Sequence, residues 1–290
     1  FVSFFDRKKV DIEKLSRSSY KWEGLSGRDL NNVVLNEFAQ KLTQIVGGSA
    51  DLMHSTKAFI ENGGHYNVGN RRGRNIHFGV REHAMGAIVN GISLYEDFIP
   101  FCSTFLSFAN YMYPSIRLAS SMKLNVMYFF THDSIYVGQD GKSHQPIEQL
   151  PQLRSFIGLK VFRPCDSNEL LAGYQYALSN NGPIAFILSR QKMAVVDGKY
   201  KEALQGAYIL KQAPKDVDVV IYATGSEVSL ALNVANELEK KYSVSVVSMP
   251  CLEIFEEQPQ NYKNKVLQKN AKLRVAIEAS NDNVWYKYVG

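Results

Sequence analysis

The chain has 290 residues, 45% of them hydrophobic, and a formal net charge of +5. This length and apolar content suffice for two globular domains with a large core, and they exclude a disordered or fibrous protein. The charge is mild for the length and is dense only at Arg71, Arg72 and Arg74, which favours small anionic substrates over nucleic acid.

The cysteines and the hydrophobic runs bear on the compartment. Cys102, Cys165 and Cys251 are far apart and lack C-x-x-C spacing, which argues against a disulfide framework or a zinc site and favours a reducing compartment. The chain has no run of 18 apolar residues and no signal-peptide pattern, so we predict a cytoplasmic protein without a membrane partner. Both ends look cut, because the chain starts with Phe1 rather than Met and stops at 286–290 without a closing helix.

The first predicted elements lead to a glycine pair. Residues 1–27 are charged and aromatic without periodicity and are interpreted as a lead-in segment, whereas 28–45 has the apolar spacing of an amphipathic helix. Gly47 and Gly48 then indicate a tight turn where backbone can approach a ligand, with Asp51 beyond it. A plain glycine turn is the alternative.

One carboxylate, Glu82, lies between a predicted short buried strand at 76–78 and an apolar helix at 84–94. At such a junction the carboxylate is expected to be half buried, where it could share a proton with a ring nitrogen of a ligand. The alternative is an ordinary first-turn glutamate favoured by the helix dipole.

Aromatic side chains recur in the next segment. The run 98–105 predicts a strand, and 104–122 predicts a helix in which Phe105, Phe108 and Tyr111 stand three residues apart. This spacing could wall a flat pocket, although core packing explains it equally well.

A polar segment follows the continuous apolar run 124–130, which is typical of a strand buried on both faces of a parallel sheet. Ligands of open α/β sheets bind beyond the carboxyl ends of strands, so the following stretch 131–134 and the polar glycine loop 137–146 are candidates for binding. Metal binding is a further alternative, although no helix sets the spacing of the ligands. The possible metal ligands are His132, Asp133, Asp140 and His144.

Two further strands, 159–163 and 184–189, flank a helix predicted to begin near an N-cap at Ser167, and Arg190 follows the second strand on the ligand side. The polar stretch 191–205 indicates a domain boundary.

A second α/β unit is predicted beyond the boundary. Its strands are expected at 217–223, 244–249 and 273–278, and its helix at 228–240. Gly225 and Ser226 before this helix could bind an anion, or they could form an ordinary capped connection.

Together these motifs resemble the transketolase family, in family order and with family-like spacing. The stretches that match are Gly47-Gly48-Ser49-Ala50-Asp51-Leu52, Phe78-Gly79-Val80-Arg81-Glu82-His83, Ser103-Thr104-Phe105, Thr131-His132-Asp133-Ser134, His144-Gln145-Pro146, Arg163-Pro164, Leu188-Ser189-Arg190-Gln191 and Ala223-Thr224-Gly225-Ser226-Glu227. The resemblance runs from about Arg28 to the end, and Gln139 and Lys142 depart from the usual Gly-Glu-Asp-Gly-Pro-Thr-His-Gln-Pro loop.

The resemblance implies an α/β fold. A thiamine diphosphate-binding (pyrimidine) domain, with a parallel sheet flanked by helices, would be followed by a smaller, truncated α/β C-terminal domain. The implied boundaries are a lead-in at 1–27, the pyrimidine-binding domain at 28–191, a linker at 192–205 and an incomplete C-terminal domain at 206–290. The family's amino-terminal diphosphate-binding domain, with its Gly-Asp-Gly magnesium motif, is expected outside this chain.

The implied activity is transfer of a two-carbon ketol unit from a ketose phosphate to an aldose phosphate in the pentose phosphate pathway. The implied cofactors are thiamine diphosphate and Mg²⁺, with the metal ligands in the amino-terminal domain. A homodimer is implied, with that domain or subunit as a partner and no nucleic acid.

The resemblance also assigns residues to roles. Glu82 would hydrogen-bond the aminopyrimidine ring nitrogen, and Glu82 and His144 would be catalytic. The implied cofactor-binding residues are Asp51, Glu82, Phe105, Phe108 and Tyr111. The implied substrate-binding residues are Arg28, Ser55, His132, Asp140, His144 and Arg190.

Three other functions remain open. A sister enzyme, such as deoxyxylulose phosphate synthase or the β subunit of a 2-oxoacid dehydrogenase, would share Glu82 but not the stretches 131–134 and 188–191. A noncatalytic binding subunit would gain support from a solvent-exposed Glu82. A nucleic-acid binder would use the three arginines at 71–74.

Overall fold

A parallel sheet organises the first part of the chain. The computed structural model describes residues 24–95 and 97–290, so most of the expected lead-in segment, 1–23, lies outside the described residues. The strands of this sheet are β1 (Ile45–Ser49), β2 (Asn75–His77), β3 (Ile99–Phe105), β4 (Met127–Thr131), β5 (Lys160–Phe162) and β6 (Ile184–Leu188). Their order is β2-β1-β3-β4-β6-β5, and every neighbouring pair is parallel. The predicted parallel α/β architecture is confirmed.

Helices cover both faces of this sheet. They are α1 (Gly27–Lys41), α2 (Met53–Thr56), α3 (Glu82–Leu94), α4 (Tyr113–Met122), α5 (Gln149–Arg154) and α6 (Ser167–Ser179), with 3₁₀ segments at Leu106–Met112 and Ile135–Val137. Strand β4 is hydrophobic from Met127 to Phe130 because Met127 and Phe129 pack with α1 and α6, whereas Tyr128 and Phe130 pack with α3 and α4. Its continuous apolar run therefore follows from burial on two sides.

A smaller mixed sheet follows. Its strands are β7 (Tyr208–Lys211), β8 (Val219–Ala223), β9 (Val244–Ser248) and β10 (Leu273–Ile277), in the order β10-β8-β9-β7. The helices around it are α7 (Tyr200–Ala203), α8 (Val228–Leu238), α9 (Leu252–Glu256), α10 (Gln260–Leu267) and α11 (Tyr286–Val289), with 3₁₀ segments at Gly225–Glu227 and Asn283–Trp285. Strand β7 is antiparallel to β9. The sequence did not predict β7, α9 or α10. Helix α11 also contradicts the expectation of an end without a closing helix.

The predicted turn at Gly47 and Gly48 is wrong, since both residues lie inside β1. A Cβ atom on Gly47 would lie 2.0 Å from the carbonyl oxygen of Phe101 in β3, and one on Gly48 would lie 1.8 Å from that of Ile76 in β2. Close strand approach, rather than a turn, requires these glycines.

Several predicted boundaries are also wrong. Helix α1 ends at Lys41, and Ile45 already belongs to β1. Strand β2 lies at the edge of the sheet, so its last residue, His77, is exposed rather than buried. The N-cap of α6 is Asp166, whose side chain accepts the backbone N–H of Glu169.

A buried ion network joins the two sheets, and we define it as Asp133, Arg154, Arg163, Glu227 and Glu278. The Arg163 guanidinium donates to Glu227 (2.8 Å), Asp133 (3.0 Å) and Glu278 (3.1 Å), and Arg154 donates to both oxygens of Glu278 (2.8 Å each). These residues follow strand or helix ends in both parts of the chain. The network therefore fixes the two sheets to each other.

The described helices include none that is both long and apolar enough to cross a membrane.

Candidate functional site

The candidate residues gather at one edge of the first sheet. Asp51 follows β1, Glu82 follows β2 after a short turn, Phe105 ends β3, His132 follows β4 and Arg190 follows β6. All of these strands are parallel, so their carboxyl ends lie at the same edge. The topology thus brings together residues that are far apart in sequence.

Glu82 is the first residue of α3 and is only 9% exposed. Helix α3 lies close to α4, because a Cβ atom on Gly86 would be 2.2 Å from the hydroxyl of Ser115. The turn before Glu82 is held by Arg81, whose guanidinium donates to the carbonyl of Phe78 (3.0 Å). Among the described residues the Glu82 carboxylate has no hydrogen-bond partner. The Glu82 carboxylate is therefore available to a ligand, and the low exposure of the residue gives no support to the noncatalytic alternative.

The rings of Phe105 and Phe108 are stacked, and the ring of Tyr111 is tilted by 44° against Phe108; we call this row of three rings the aromatic stack, and it does not lie on a regular α-helix. Phe105 ends β3, and Phe108 and Tyr111 lie in the 3₁₀ segment Leu106–Met112, so the prediction of one helix over 104–122 is wrong. Because a 3₁₀ helix has about three residues per turn, side chains three apart eclipse each other. The ring centroids are 5.6 Å apart between Phe105 and Phe108 and 6.3 Å apart between Phe108 and Tyr111. The stack runs from buried Phe105 to exposed Tyr111.

His132 extends this stack beyond Phe105. Its ring lies 3.6 Å, centroid to centroid, from Phe105, and its Nδ1 is 2.8 Å from the hydroxyl of Thr131. Its φ of 60° places it in the left-handed region, a conformation that clusters at functional sites. Burial, reinforced by Arg28, Arg190 and His144, lowers the pKa of His132 from 6.5 to about 3. His132 is therefore a neutral imidazole at physiological pH.

This shift predicts a pH-dependent stability. The pKa of His132 is lowered to about 3 in the folded chain, so only the unfolded chain binds a proton there between about pH 6.5 and about pH 3. The free energy of unfolding is expected to decrease as the pH falls through this window, and His132→Gln should lack this part of the decrease. Urea unfolding at several pH values measures it. His54→Gln, at an exposed histidine, should keep the wild-type pH dependence, and an unchanged dependence in His132→Gln would contradict the assignment.

Two arginines lie on the same side as His132. The backbone N–H groups of Gly27 and Arg28 donate to the hydroxyl (2.8 Å) and carbonyl (3.2 Å) of Ser189, which ties the start of α1 to the end of β6. Arg28 Nη1 donates to the Ser55 carbonyl (2.6 Å), while its buried Nε has no partner among the described residues. Burial lowers the pKa of Arg28. The negative charge of Asp29 raises this pKa, and the positive charge of Arg190 lowers it further. Two cations near each other favour an anionic ligand.

The remaining candidates are less enclosed. His144 is half-buried, with its ring edge-on to Phe108 at 5.2 Å and to Phe105 at 5.9 Å. Asp51 is exposed and has a φ of 61°. Asp140 is exposed in the loop before His144, and its side chain makes no hydrogen bond with the described residues. The structure thus groups His144 with the aromatic stack but brings Asp140 only to the same loop.

The alternative metal site is not assembled. Asp133 is buried, and its Oδ2 accepts hydrogen bonds from Arg163 and from the Ser226 hydroxyl, both at 3.0 Å, so it is directed into the ion network. In the described ranges, one group brings three possible metal ligands within 4.8 Å of one another: Cys165, Asp166 and Glu169. These already serve other contacts, since Asp166 caps α6 and Glu169 accepts from the Tyr208 hydroxyl at 2.9 Å.

Two polar features of the sequence have structural roles. The hydroxyl of Ser226 donates to Asp133 and Glu227, which favours the ordinary connection over the alternative of an anion site. Arg74, in the basic cluster, donates to the carbonyl of Ala39 (2.9 Å) near the end of α1.

The ion network was not predicted as a unit. Arg163 and Glu227 appeared only inside motif stretches without a role, and Asp133 was considered as a possible metal ligand. Asp133 is the neighbour of His132 in the chain and is bound by Arg163 in the ion network. The position of His132 is therefore linked through this network to the second sheet.

Comparisons with known proteins identify the family of this chain. The family model described as transketolase, pyrimidine binding domain, matches residues 23–195, and that described as transketolase-like TK C-terminal domain matches 206–290. This chain belongs to the transketolase family. The predicted resemblance is confirmed.

The similar transketolases are longer than this chain. A transketolase of Aquifex aeolicus is 45% identical over 98% of this chain and 42% of its own length, and one of Bacillus subtilis is 44% identical over 93% of this chain and 42% of its own length. The crystal structure of transketolase from Campylobacter jejuni superposes with a TM-score of 0.89 at 41% identity, over 98% of this chain and 44% of that one. The chain therefore spans about two fifths of the length of these relatives.

One similar structure has nearly the same extent as this chain; it is described as a split gene transketolase, inactive beta4 tetramer. It superposes with a TM-score of 0.70 at 27% identity, over 89% of this chain and 81% of that chain. That protein is close to this chain in extent.

Proposed function

We propose that this chain supplies the pyrimidine-binding and C-terminal parts of a transketolase, which transfers a two-carbon ketol unit from a ketose phosphate to an aldose phosphate in the pentose phosphate pathway. One observation carries the proposal: the unpartnered, nine-tenths buried carboxylate of Glu82 lies at the same sheet edge as an aromatic stack and two arginines. We place the protein in the cytoplasm, because its three cysteines are free and buried.

The residues fit thiamine diphosphate. When bound, this cofactor supplies a nucleophilic carbon that allows the carbon–carbon bond of a ketose to be cleaved. Phe105, Phe108 and Tyr111 offer flat apolar surface of the kind that an aminopyrimidine ring packs against. The Glu82 carboxylate would hold a proton shared with a ring nitrogen, in surroundings that exclude most water. Asp51 would lie near the cofactor beyond β1.

The sugar phosphate would be held by the residues on the His132 side. Guanidinium groups suit bidentate phosphate contacts, so Arg28 and Arg190 would bind the phosphate, with Ser55 beside them. Neutral His132 can donate one hydrogen bond and accept another without adding charge. His144 and Asp140 would contact the ketose hydroxyls near the cleaved bond.

Substituting Arg190 tests the phosphate contact. One charge-assisted hydrogen bond to phosphate is worth about 1.5 to 3 kcal/mol, so Arg190→Gln should raise the KM of a ketose phosphate by about ten- to a hundredfold. Arg28→Gln should act similarly. Unphosphorylated donors should be affected much less, and Arg72→Gln, at an exposed arginine, should change neither KM. Equal losses for both kinds of donor would show that Arg190 does not meet the phosphate.

A second part is needed for the diphosphate end of the cofactor. We infer that the amino-terminal half of the enzyme, as a domain or separate subunit, provides the Mg²⁺ ligands, because Mg²⁺ binds diphosphate with oxygen ligands. Exposed apolar residues close to the candidate site support such a partner and a homodimer: Val80 is 75% exposed, Tyr111 65% and Ile88 48%. We propose no nucleic acid or membrane as a partner.

Adding the missing half tests the proposal as a whole. The chain alone is expected to be catalytically silent and to bind thiamine diphosphate with Mg²⁺ weakly or not at all, whereas a mixture with the amino-terminal half of a relative should bind the cofactor and transfer ketol units. Calorimetric titration followed by an activity assay measures both. Micromolar binding to the chain alone would contradict the two-part site.

A further inference from the structure

Two exposed histidines face each other at the β2 edge of the first sheet. His77 ends the edge strand β2, and His65 lies in the loop that pairs with this strand through a parallel bridge between His65 and Asn75. Two backbone hydrogen bonds hold the loop: Tyr66 N–H donates to the Asn75 carbonyl (2.8 Å), and Asn75 N–H donates to the Gly64 carbonyl (3.0 Å).

The pairing explains why the two rings meet. Residues two apart on a strand lie on the same face, and diagonal neighbours across a pair of strands are within reach of ring side chains. His65 is opposite Asn75 and hence diagonal to His77. The result is a ring centroid separation of 4.8 Å and a distance of 2.8 Å between His65 Nδ1 and His77 Nε2.

We propose that His65 and His77 form a chelating site for one divalent transition metal ion with square-planar or octahedral coordination, such as Cu²⁺ or Ni²⁺. Imidazole nitrogens suit these ions. Two nitrogens at about 2.05 Å from a metal are about 2.9 Å apart when they subtend a right angle and about 3.3 Å apart at the tetrahedral angle. The two facing nitrogens are 2.8 Å apart as a hydrogen-bonded pair, so small rotations of the two exposed rings would bring both lone pairs onto one ion at the right-angle distance.

The protonation states are compatible with this role. Two neutral imidazoles carry one N–H each, and the shared hydrogen bond uses one of them. Binding requires a lone pair on both facing nitrogens, so the ring that donates the shared hydrogen bond changes its tautomer and moves its one proton to its outer nitrogen. In the bound pair the protons lie on His65 Nε2 and His77 Nδ1, and none is released. These outer nitrogens have no hydrogen-bond partner in the described part of the chain, and both rings are exposed, so water completes the coordination.

The chain is titrated with CuCl₂ or NiCl₂ in a non-chelating buffer, and calorimetry measures the affinity and the number of ions bound. For Cu²⁺, electron paramagnetic resonance also reports the ligands of the ion. One ion should bind per chain, with the spectrum of an ion held by two nitrogens. A chelating second ligand raises affinity on the order of a hundredfold, so His65→Gln and His77→Gln should each lose about that much. Zn²⁺ should bind more weakly than Cu²⁺.

A matched control separates this pair from surface histidines in general. His54→Gln removes another exposed imidazole and should leave the affinity and the spectrum unchanged. Circular dichroism of each variant verifies that the fold is kept, since both side chains of the pair are at the surface. Equal affinities for wild type, His65→Gln and His77→Gln, or no binding to the wild type, would overturn the proposal, and neither result depends on the enzymatic function.

Discussion

In the complete enzyme, Glu82→Gln is expected to lower the turnover number by about a hundred- to ten-thousandfold while leaving the fold intact. The amide keeps the shape of the side chain but cannot hold the proton that a carboxyl group shares with a ring nitrogen. Because Glu82 is only 9% exposed, water cannot readily replace the lost function. Initial rates of ketose phosphate cleavage, with the amino-terminal half present, measure the effect.

The same substitution distinguishes catalysis from helix stabilisation. If Glu82 served only the dipole of α3, its loss would cost about 0.3 to 1 kcal/mol of stability and would leave the turnover number unchanged. Glu61→Gln is a matched control, since this carboxylate is exposed in a turn and its turnover should equal that of the wild type. A turnover near the wild-type value in Glu82→Gln would exclude the catalytic role.

The first sheet was predictable where burial leaves a local signature. The continuous apolar run that forms β4 and the polar stretch behind it placed His132 at the ligand side of a parallel sheet, as the structure has it. Such runs occur because both faces of a parallel sheet are covered by helices. Strand β7 escaped prediction because it is short and lies at an edge, where only Tyr208 is buried.

The glycine pair shows what a local pattern cannot decide. Gly47 and Gly48 have the same local signature in a turn as in a strand that neighbouring backbones approach closely. The atoms that require them, the carbonyl oxygens of Phe101 and Ile76, belong to other strands. The choice between turn and strand is therefore made by tertiary contacts that no window of sequence contains.

The aromatic spacing was informative even though the helix type was wrong. A recurrence every three residues places side chains on one face of either helix type, but only a 3₁₀ turn eclipses them. Pro114, near the start of α4, separates the α-helix from the 3₁₀ segment before it. The common face of Phe105, Phe108 and Tyr111 was thus predictable, whereas their direct stacking was not.

The ion network could not be predicted, because its partners are distant in sequence. Arg163 lies 30 residues from Asp133, 64 from Glu227 and 115 from Glu278. A buried charge is stable only with its partners in place, and single residues give no sign of such pairing. Burial lowers the pKa of Arg163, but its three carboxylate partners, with Glu227 the strongest, raise the pKa above its ordinary value.

Arg163→Met is expected to decrease the free energy of unfolding by about 3 to 5 kcal/mol, because it leaves the buried carboxylates of Asp133 and Glu227 without their cation, whereas Glu278 keeps Arg154. The loss should be largest near neutral pH.

The pH dependence follows from Glu278. Burial raises the pKa of Glu278, but Arg154 and Arg163 overcome this and lower the pKa to about 2. Ionised Glu278 stabilises the fold above its unfolded pKa of 4.5, and this contribution disappears as the pH falls towards about 2. Urea unfolding at neutral and acidic pH measures both effects.

Lys240→Met is the matched control for the loss of one cation. Lys240 pairs with Glu237 at the surface, where both side chains are more than half exposed, at 68% and 75%. Water and salt screen such a pair, so its loss should change the free energy of unfolding by about 1 kcal/mol or less. A similarly small loss in Arg163→Met would mean that the network does not hold the two sheets together, and Asp133 could then not transmit the position of the second sheet to His132.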